Sequence, residues 1–354
     1  MSGRELVVEM NHDWEAVREV FGKWWRREKL PRPLLVLTSP TRGPAARPQL
    51  DIESRWLDQA YILSGVERRF METHYWAEAF PYMWPDLGPG SFGAFLGACP
   101  QFFPDTVWYK PVSEPMTSTS LALNQQSRWW QWSLTMAEKS VKEAKGRWLV
   151  AIPDLVENLD TLAAVFGTET VLFALHDAPH DIHRLQSALL PLWEEAFDRH
   201  YEVAQDDKGW SAFAAFSIWG PGRTAKVQCD ISAMLSPSMF DEFVFPYLQE
   251  QCRFLDSSIY HLDGRSAVQH LPSLLRIDGL DCIQWTPGAG EPDGGDPVWD
   301  DIYRQTLDSG RCIHAHMPLS RVRDFVKRFG TTGVLIITQA ASDREAAALL
   351  EDLS

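Results

Sequence analysis

The sequence predicts a single (β/α)8 barrel, and three features of the chain support that fold class. Apolar, β-prone segments alternate with amphipathic helical segments from about residue 147 to the end of the chain. The strand segments are apolar throughout, as is usual for parallel strands buried on both faces of a sheet. With the N-terminal part included, the pattern gives about eight strand–helix units. A doubly wound sheet with an added subdomain is the alternative.

The predicted elements follow one another in a regular order after a helical extension over residues 1–33. Strands are expected at 34–39, 147–153, 211–219, 226–231, 258–263, 280–286, 311–317 and 333–338. Helices are expected near 51–73, 124–145, 158–166, 181–204, 237–255, 266–276, 297–309, 320–329 and 342–353. An aromatic, glycine-rich region at 74–115 fits this repeat poorly. Because no linker interrupts the pattern, we expect residues 1–354 to form one domain.

Composition narrows the class of protein. Of the 354 residues, 45% are hydrophobic and 23% are charged, which is typical of a soluble enzyme. The net charge of −15 argues against nucleic acid as a partner. The sequence has no apolar run that predicts a membrane span and no signal-peptide pattern, so we expect a cytoplasmic protein. The five cysteines form no Cys-x-x-Cys pair, which argues against a disulfide framework or a zinc finger.

Polar side chains stand at the ends of several predicted strands, where a barrel places its active site. His261 and Asp263 are two residues apart, so their side chains point to the same face of a strand. With Asp230 they are the predicted catalytic residues. Cys229 and His316 complete a predicted metal site with His261 and Asp263. The alternative is that these histidines are satisfied core residues and that Cys229 is a small buried hydrophobe.

Aromatic residues are the second unusual feature, since the chain holds 16 tryptophans. Flat rings beside carboxylates suit a cationic or methylated amine through cation–π attraction. The residues predicted to contact substrate are Tyr82, Trp84, Trp108, Trp219, Gln284 and Trp285. The alternative is that the rings between 76 and 108 plug the open end of the barrel or form the interface of a homodimer.

Three stretches carry a family resemblance: FPYMWPDLGPGSFGAFLGA at 80–98, VQCDISAMLSPSMFDEFVFPYL at 227–248 and SIYHLDGRSAVQHLPSLLRIDGLDCIQWTPGAGEP at 258–292. The chain resembles the uroporphyrinogen decarboxylase superfamily over roughly residues 30 to 350. It is most similar to the branch of corrinoid-linked methyltransferases of methanol and methylamine metabolism. The resemblance implies a single (β/α)8 barrel with the active site at the strand ends.

The chain departs from both branches of that superfamily at positions that bear on chemistry. The zinc methyltransferases hold zinc with a His-x-Cys pair and a later cysteine near the last strand. Here the matching pair is His261-x-Asp263, and the last strand ends in Thr338-Gln339. The arginine signature of the decarboxylase branch is represented only by Arg42 and Arg47, of which Arg42 is a candidate substrate ligand. A site with carboxylates in place of thiolates is harder and less thiophilic.

The leading functional hypothesis is methyl transfer to or from a small methylated compound. It implies a divalent metal, with zinc favoured, and a corrinoid carried by a partner protein. The first alternative is a metal-assisted lyase or decarboxylase of a small acid or a tetrapyrrole. The second is a non-catalytic protein that binds a corrinoid or an amine.

Overall fold

The computed structural model describes residues 13–41, residue 43 and residues 48–354. Arg42 and Arg47 lie outside the described residues. The helices are α1 (Trp14–Trp25), α2 (Ile52–Leu57), α3 (Gln59–Glu72), α4 (Ser91–Phe95), α5 (Arg128–Ala144), α6 (Asn158–Phe166), α7 (Thr168–Asp177), α8 (Pro179–Ala204), α9 (Pro237–Phe243), α10 (Phe245–Phe254), α11 (Leu271–Leu274), α12 (Asp300–Asp308), α13 (Val322–Phe329) and α14 (Asp343–Leu353).

The strands alternate with these helices over most of the chain. They are β1 (Leu34–Pro40), β2 (Thr73–Ala77), β3 (Tyr82–Met83), β4 (Cys99–Phe102), β5 (Val107–Lys110), β6 (Leu149–Val150), β7 (Trp210–Phe213), β8 (Ile218–Pro221), β9 (Thr224–Gln228), β10 (Ser257–Asp263), β11 (Cys282–Thr286), β12 (Cys312–His316) and β13 (Val334–Gln339).

A seven-stranded, mostly parallel sheet is the centre of the fold. Its strand order is β2-β1-β13-β12-β11-β10-β9, and only the β1–β2 pair at one edge is antiparallel. Parallel strands need crossover connections, and the helices after β9, β10, β11, β12 and β13 supply them or cover the sheet. The chain therefore has a mixed α/β fold.

The remaining strands continue around the sheet without closing it. β3 pairs with β6 in parallel, and a single bridge joins Ile152 to Phe213 at the end of β7. In the part of the chain that the structure describes, no continuous ladder joins β1 to β3 or β7 to β9. The arrangement is consistent with the expected (β/α)8 barrel, but the sheet is not closed.

Side chains of the parallel strands alternate between two hydrophobic clusters. Leu35, Tyr260 and Ile283 face the helices in the larger cluster, whereas their neighbours Ile259 and Cys282 face the concave side of the sheet. This is the two-residue period of a strand whose two faces are both covered. Polar residues on the concave face, near the carboxyl ends of the strands, consequently lie close to one another.

The N-terminal helix α1 covers the amino-terminal end of the concave side. Phe21 and Trp24 are fully buried there, and the Cys312 thiol at the start of β12 lies 3.3 Å from the carbonyl oxygen of Trp24. Loops surround the opposite end of the sheet, where the strands end. That end is the one where parallel α/β sheets usually bind ligands.

The expected strand over 211–219 is wrong, because the chain reverses within it. β7 and β8 form an antiparallel hairpin in which Ala212 pairs with Trp219, and Ser217 in the turn has a φ of 46°. An uninterrupted apolar run does not distinguish a long strand from a tight hairpin. Trp219 therefore returns toward α1, where it packs on Trp14 and Phe21.

Among the helices of the described residues, none is by itself long and apolar enough to cross a membrane. Within the described part of the chain, one pair of helices, α6 and α7, meets the length and composition of a span jointly, and it bends by 115° between the two helices.

A buried ion pair fixes the start of β1, and its loss is expected to destabilise the fold. Both Glu78 carboxylate oxygens accept hydrogen bonds from Arg32 at 2.7 Å, and one also accepts from the Leu35 amide at 3.0 Å. Glu78 is buried whereas Arg32 is partly exposed, so we expect Glu78→Ala to lower the free energy of unfolding by roughly 2 to 4 kcal/mol. Urea denaturation measures this, with exposed Glu138→Ala as the control. An equal loss in both variants would contradict the assignment.

Candidate functional site

Three potential metal ligands converge at the carboxyl ends of two neighbouring strands. Asp230 follows β9 and begins a 3₁₀ turn, while His261 and Asp263 stand on the concave face of β10. One ligand atom from each residue lies within 4.8 Å of the other two. His261 and Asp263 do share one face of the strand, as the sequence predicts. We call these three residues the acidic triad.

A neighbouring amide fixes the orientation of the His261 ring. The Nδ1 atom of His261 is hydrogen-bonded to the side-chain oxygen of Gln284 on β11. The Gln284 amide nitrogen donates to the Thr286 hydroxyl at 2.8 Å, which keeps its oxygen turned toward the histidine. Because an amide oxygen only accepts, Nδ1 of the neutral ring carries the proton and its lone pair lies on Nε2. That atom is 4.0 Å from an Asp263 carboxylate oxygen.

Two polar side chains fix the position of Asp230, one through its main chain and one through its carboxylate. Asp160 on α6 accepts the main-chain amides of Asp230 at 2.6 Å and of Ile231 at 2.9 Å. The Gln228 amide donates to the Asp230 carboxylate at 3.0 Å. Asp160 thereby satisfies the free amides at the start of the 3₁₀ turn, as a capping residue does in a helix. Asp230 is positioned before any ligand arrives.

A buried lysine lies behind the triad. Lys226 on β9 is 4% exposed. Its ammonium group is 2.6 Å from a carboxylate oxygen of Asp154 and 2.6 Å from the Gln228 side-chain oxygen. Asp154 and Glu157 raise the pKa of Lys226 in spite of its burial. A buried charge must be paired, and this cation offsets part of the negative charge that gathers here.

Burial and mutual repulsion raise the pKa of several carboxyl groups around the triad. Burial and the nearby Asp230 carboxylate raise the pKa of Asp160 to about 7. Burial also raises the pKa of Asp230, with opposition from His261 and Lys226. The pKa of Glu157 is raised well above its usual value by burial. The triad therefore sits beside groups that can hold or release a proton.

Sequence reasoning missed Asp160, Lys226 and Phe216. Lys226, Gln228 and Asp230 alternate along one segment, so strand periodicity could have placed the lysine on the same face as the triad. Asp160 comes from a helix 70 residues earlier, and its role has no local signal. Phe216 stands in the β7–β8 turn, and its ring lies 5.1 Å from that of His261.

The structure does not bring Cys229 into the triad, contrary to the expected metal site. Cys229 follows Gln228, so it points to the opposite face and lies in the helix-facing cluster with Tyr260. It is 2% exposed, and burial raises the pKa of its thiol well above the usual value. A buried thiol of this kind is an inert structural residue rather than a ligand.

The two imidazoles at the end of β12 have different surroundings. His314 is buried, its Nε2 bonds to the main-chain oxygen of Phe216 at 2.9 Å, and burial lowers its pKa to about 4. His316 is exposed and lies outside the triad. It lines a groove beside Asp263 that the structure also builds from Thr286, Glu291 and Gln339. His316 is thus placed to meet a ligand in this groove.

The predicted substrate-binding aromatics are scattered. Trp219 is buried at the amino-terminal end, far from the strand ends that hold the triad. Trp285 is 1% exposed and packs against Trp299 in the helix-facing cluster at 5.0 Å. Trp285 cannot share a face with Gln284, since adjacent strand residues point to opposite sides, but it does border the groove beside Asp263.

The aromatic cage expected from Tyr82, Trp84 and Trp108 is not assembled. Tyr82 and Trp84 line one cleft, whereas Trp108 is 66% exposed on the β4–β5 hairpin. Among the described residues, no ring contact joins Trp108 to either of the other two. Trp84 donates its indole N–H to the Ile152 carbonyl at 3.1 Å and packs on Phe213.

The fold and the triad together define an α/β protein with a candidate metal site at its strand ends. No model of a known protein family matches the chain, and no curated protein matches its sequence. The solved structure of a methyltransferase from Methanosarcina mazei is similar, with a TM-score of 0.62 and 8% sequence identity. The match covers 96% of this chain and 98% of that chain. At this identity the similarity shows a shared fold over nearly the whole length.

The Gln284–His261 hydrogen bond predicts the tautomer of His261. In the metal-free protein, neutral His261 should carry its proton on Nδ1, and Gln284→Leu should shift the ring toward the tautomer mixture of a free imidazole. Proton–nitrogen NMR correlation of labelled histidine reports the tautomer directly. Gln305→Leu, at an exposed position, is the control. An Nε2–H tautomer in the unsubstituted protein would contradict the assignment.

Proposed function

We propose that the protein is a metal-dependent methyltransferase that moves a methyl group to or from a small methylated compound. The observation that carries the proposal is the convergence of Asp230, His261 and Asp263 at the carboxyl ends of parallel strands. The chain shares its fold with a methyltransferase over 96% of its length, and this similarity also supports the proposed function. We also propose membership of the uroporphyrinogen decarboxylase superfamily, with β3, β6 and β7 completing a distorted (β/α)8 barrel.

The acidic triad fits a divalent cation by the chemistry of its donors. It offers one imidazole nitrogen with its lone pair free and two carboxylates, arranged within 4.8 Å of one another. Two carboxylates this close repel each other, and a bound cation would remove that repulsion. Zinc accepts nitrogen and oxygen ligands and is the metal we favour. The absence of a sulfur ligand in the triad makes a harder cation such as Mn²⁺ the main competitor.

A bound divalent metal would supply Lewis-acid activation of the group that accepts or releases the methyl. The residues of this chain prepare the site for that chemistry. Gln284 sets the tautomer of His261, and Asp160 with Gln228 orients Asp230. Asp263 is more open than His261, with 43% of its side chain exposed against 16%, and it faces the groove that would admit the substrate. Such support around ligands commonly governs metal affinity.

A corrinoid on a partner protein is the methyl carrier that we propose. The groove beside Asp263 and His316 has a volume of about 670 Å³ and opens to solvent. A groove of this size and position could receive a bulky group presented by another protein while leaving the triad accessible. A small methylated substrate would lie between that group and the triad.

A metal-assisted lyase or decarboxylase is the second candidate, and one observation favours it. Asp160, whose pKa burial raises to about 7, accepts the main-chain amide of Asp230, and burial also raises the pKa of the Asp230 carboxyl group. A proton donor and acceptor pair is what a decarboxylation or elimination requires.

Metal content tests the site. Protein purified without chelator should contain about one equivalent of divalent metal, and His261→Ala should lose most of it because the triad loses its nitrogen ligand. Cys229→Ala and His316→Ala should retain the metal, since neither residue belongs to the triad. Elemental analysis of all four proteins measures this. Retention in His261→Ala with loss in Cys229→Ala would overturn the site.

A second experiment tests the reaction. Metal-loaded protein should methylate free reduced cobalamin from at least one small methylated donor, which the visible spectrum of the corrinoid reports. Asp263→Asn should lower the rate about 10²-fold or more, because the substitution removes a charged ligand that faces the substrate groove. Release of CO₂ from a small acid by the same protein, with no methylation of cobalamin, would favour the lyase.

A further inference from the structure

A second cavity shares no lining residue with the acidic triad and lies between α2, α3, α5 and the segment after β3. Its volume is about 300 Å³, within the usual range for small-molecule sites. We call it the aromatic cleft. Its rings come from Trp56, Tyr61, Tyr82, Trp84 and Trp132, and its charged residues are Arg55, Arg69 and Asp86.

The tryptophan rings of the aromatic cleft are fixed by their own polar edges. The indole N–H groups of Trp56, Trp84 and Trp132 donate to the main-chain oxygens of Phe103, Ile152 and Leu57, at 2.8, 3.1 and 2.9 Å. Each bond ties a ring to a different segment of the chain. The rings are therefore oriented before a ligand arrives, and they offer flat faces rather than hydrogen-bond donors.

Two guanidinium groups give the aromatic cleft its charge. Arg55 and Arg69 are exposed, and within the described part of the chain neither has a carboxylate within ion-pair distance. Arg69 lies 5.9 Å from the centre of the Tyr82 ring. Most other arginines in this acidic protein pair with a carboxylate, as Arg32, Arg276 and Arg328 do. Two unpaired guanidiniums at one cleft favour an anionic ligand.

Asp86 adds a proton donor to the same cleft. One of its oxygens accepts the Gly88 amide at 2.7 Å. Burial and the nearby Asp154 raise its pKa to about 7, so the carboxyl group is partly neutral at physiological pH. In its neutral form this group would donate to an acceptor atom on a ligand, and it would contribute little attraction for a cation.

We propose that the aromatic cleft binds a planar aromatic acid, that is, a molecule with a flat ring and a carboxylate or phosphate group. The ring would stack among the tryptophans, and the acid group would bind Arg55 and Arg69 at the rim. This selectivity is opposite to the methylated cation expected from the aromatic residues alone. The proposal does not rest on the proposed methyl transfer, because it concerns residues outside the triad.

Calorimetric titration with three indoles of different charge tests the charge selectivity. Indole-3-acetate, indole-3-acetamide and tryptamine share one ring system and carry a negative charge, no charge and a positive charge. We expect the acetate to bind at least about ten-fold more tightly than the amide, and tryptamine to bind most weakly. Phenyl phosphate and benzoate, compared in the same way, distinguish a phosphate ligand from a carboxylate ligand.

Matched arginine substitutions assign the binding to the cleft. Arg69→Gln and Arg55→Gln should each weaken indole-3-acetate about ten-fold, while leaving the amide unchanged. Arg344→Gln, at an exposed position on α14, should leave both affinities unchanged. Melting temperatures confirm that the three variants are folded. Tighter binding of tryptamine, equal loss in the Arg344→Gln control, or binding of no indole at millimolar concentration would each overturn the proposal.

Discussion

The in-register pairing of β9, β10 and β11 is the constraint on which the candidate site depends. His261 pairs with Gln228 on one side and with Gln284 on the other, so three polar side chains form one row on the concave face. A slip of one residue would turn Gln284 to the helices and bring Trp285 inward. His261 would then lose the acceptor that fixes its tautomer. The same register sets Asp263 one layer further toward the strand ends.

Electrostatics explains why the site needs an internal cation. Three further acidic residues lie near Asp230, namely Asp154, Glu157 and Asp160. Ionised carboxylates in so small a space repel one another and lose hydration. Lys226 compensates on the buried side, where it pairs with Asp154. On the open side, neither Asp263 nor Asp230 has a lysine or arginine at ion-pair distance among the described residues, and this asymmetry favours an incoming cation at the triad.

Sequence reasoning succeeded where strand periodicity was enough and failed where partners were distant or the path of the chain was ambiguous. Alternation placed His261 and Asp263 on one face, and applied to Gln284 and Trp285 it would have placed the tryptophan ring on the helix-facing side of the sheet. Trp219 was misplaced because the apolar run around it conceals a hairpin. The open sheet was also beyond prediction, since closure depends on long-range pairing of the short strands β3 and β6.

The two cavities carry charged side chains of opposite sign, and this difference determines which of them would bind a methylated cation. The groove at the triad is lined by Asp263, Glu291 and Asp293, although Glu291 and Asp293 pair in part with arginines. It therefore retains negative potential that attracts a cation. The aromatic cleft holds unpaired guanidiniums and a partly neutral carboxyl group. The methylated compound proposed as substrate would consequently be favoured at the groove, which Trp285 borders, although Tyr82 and Trp84 lie in the aromatic cleft.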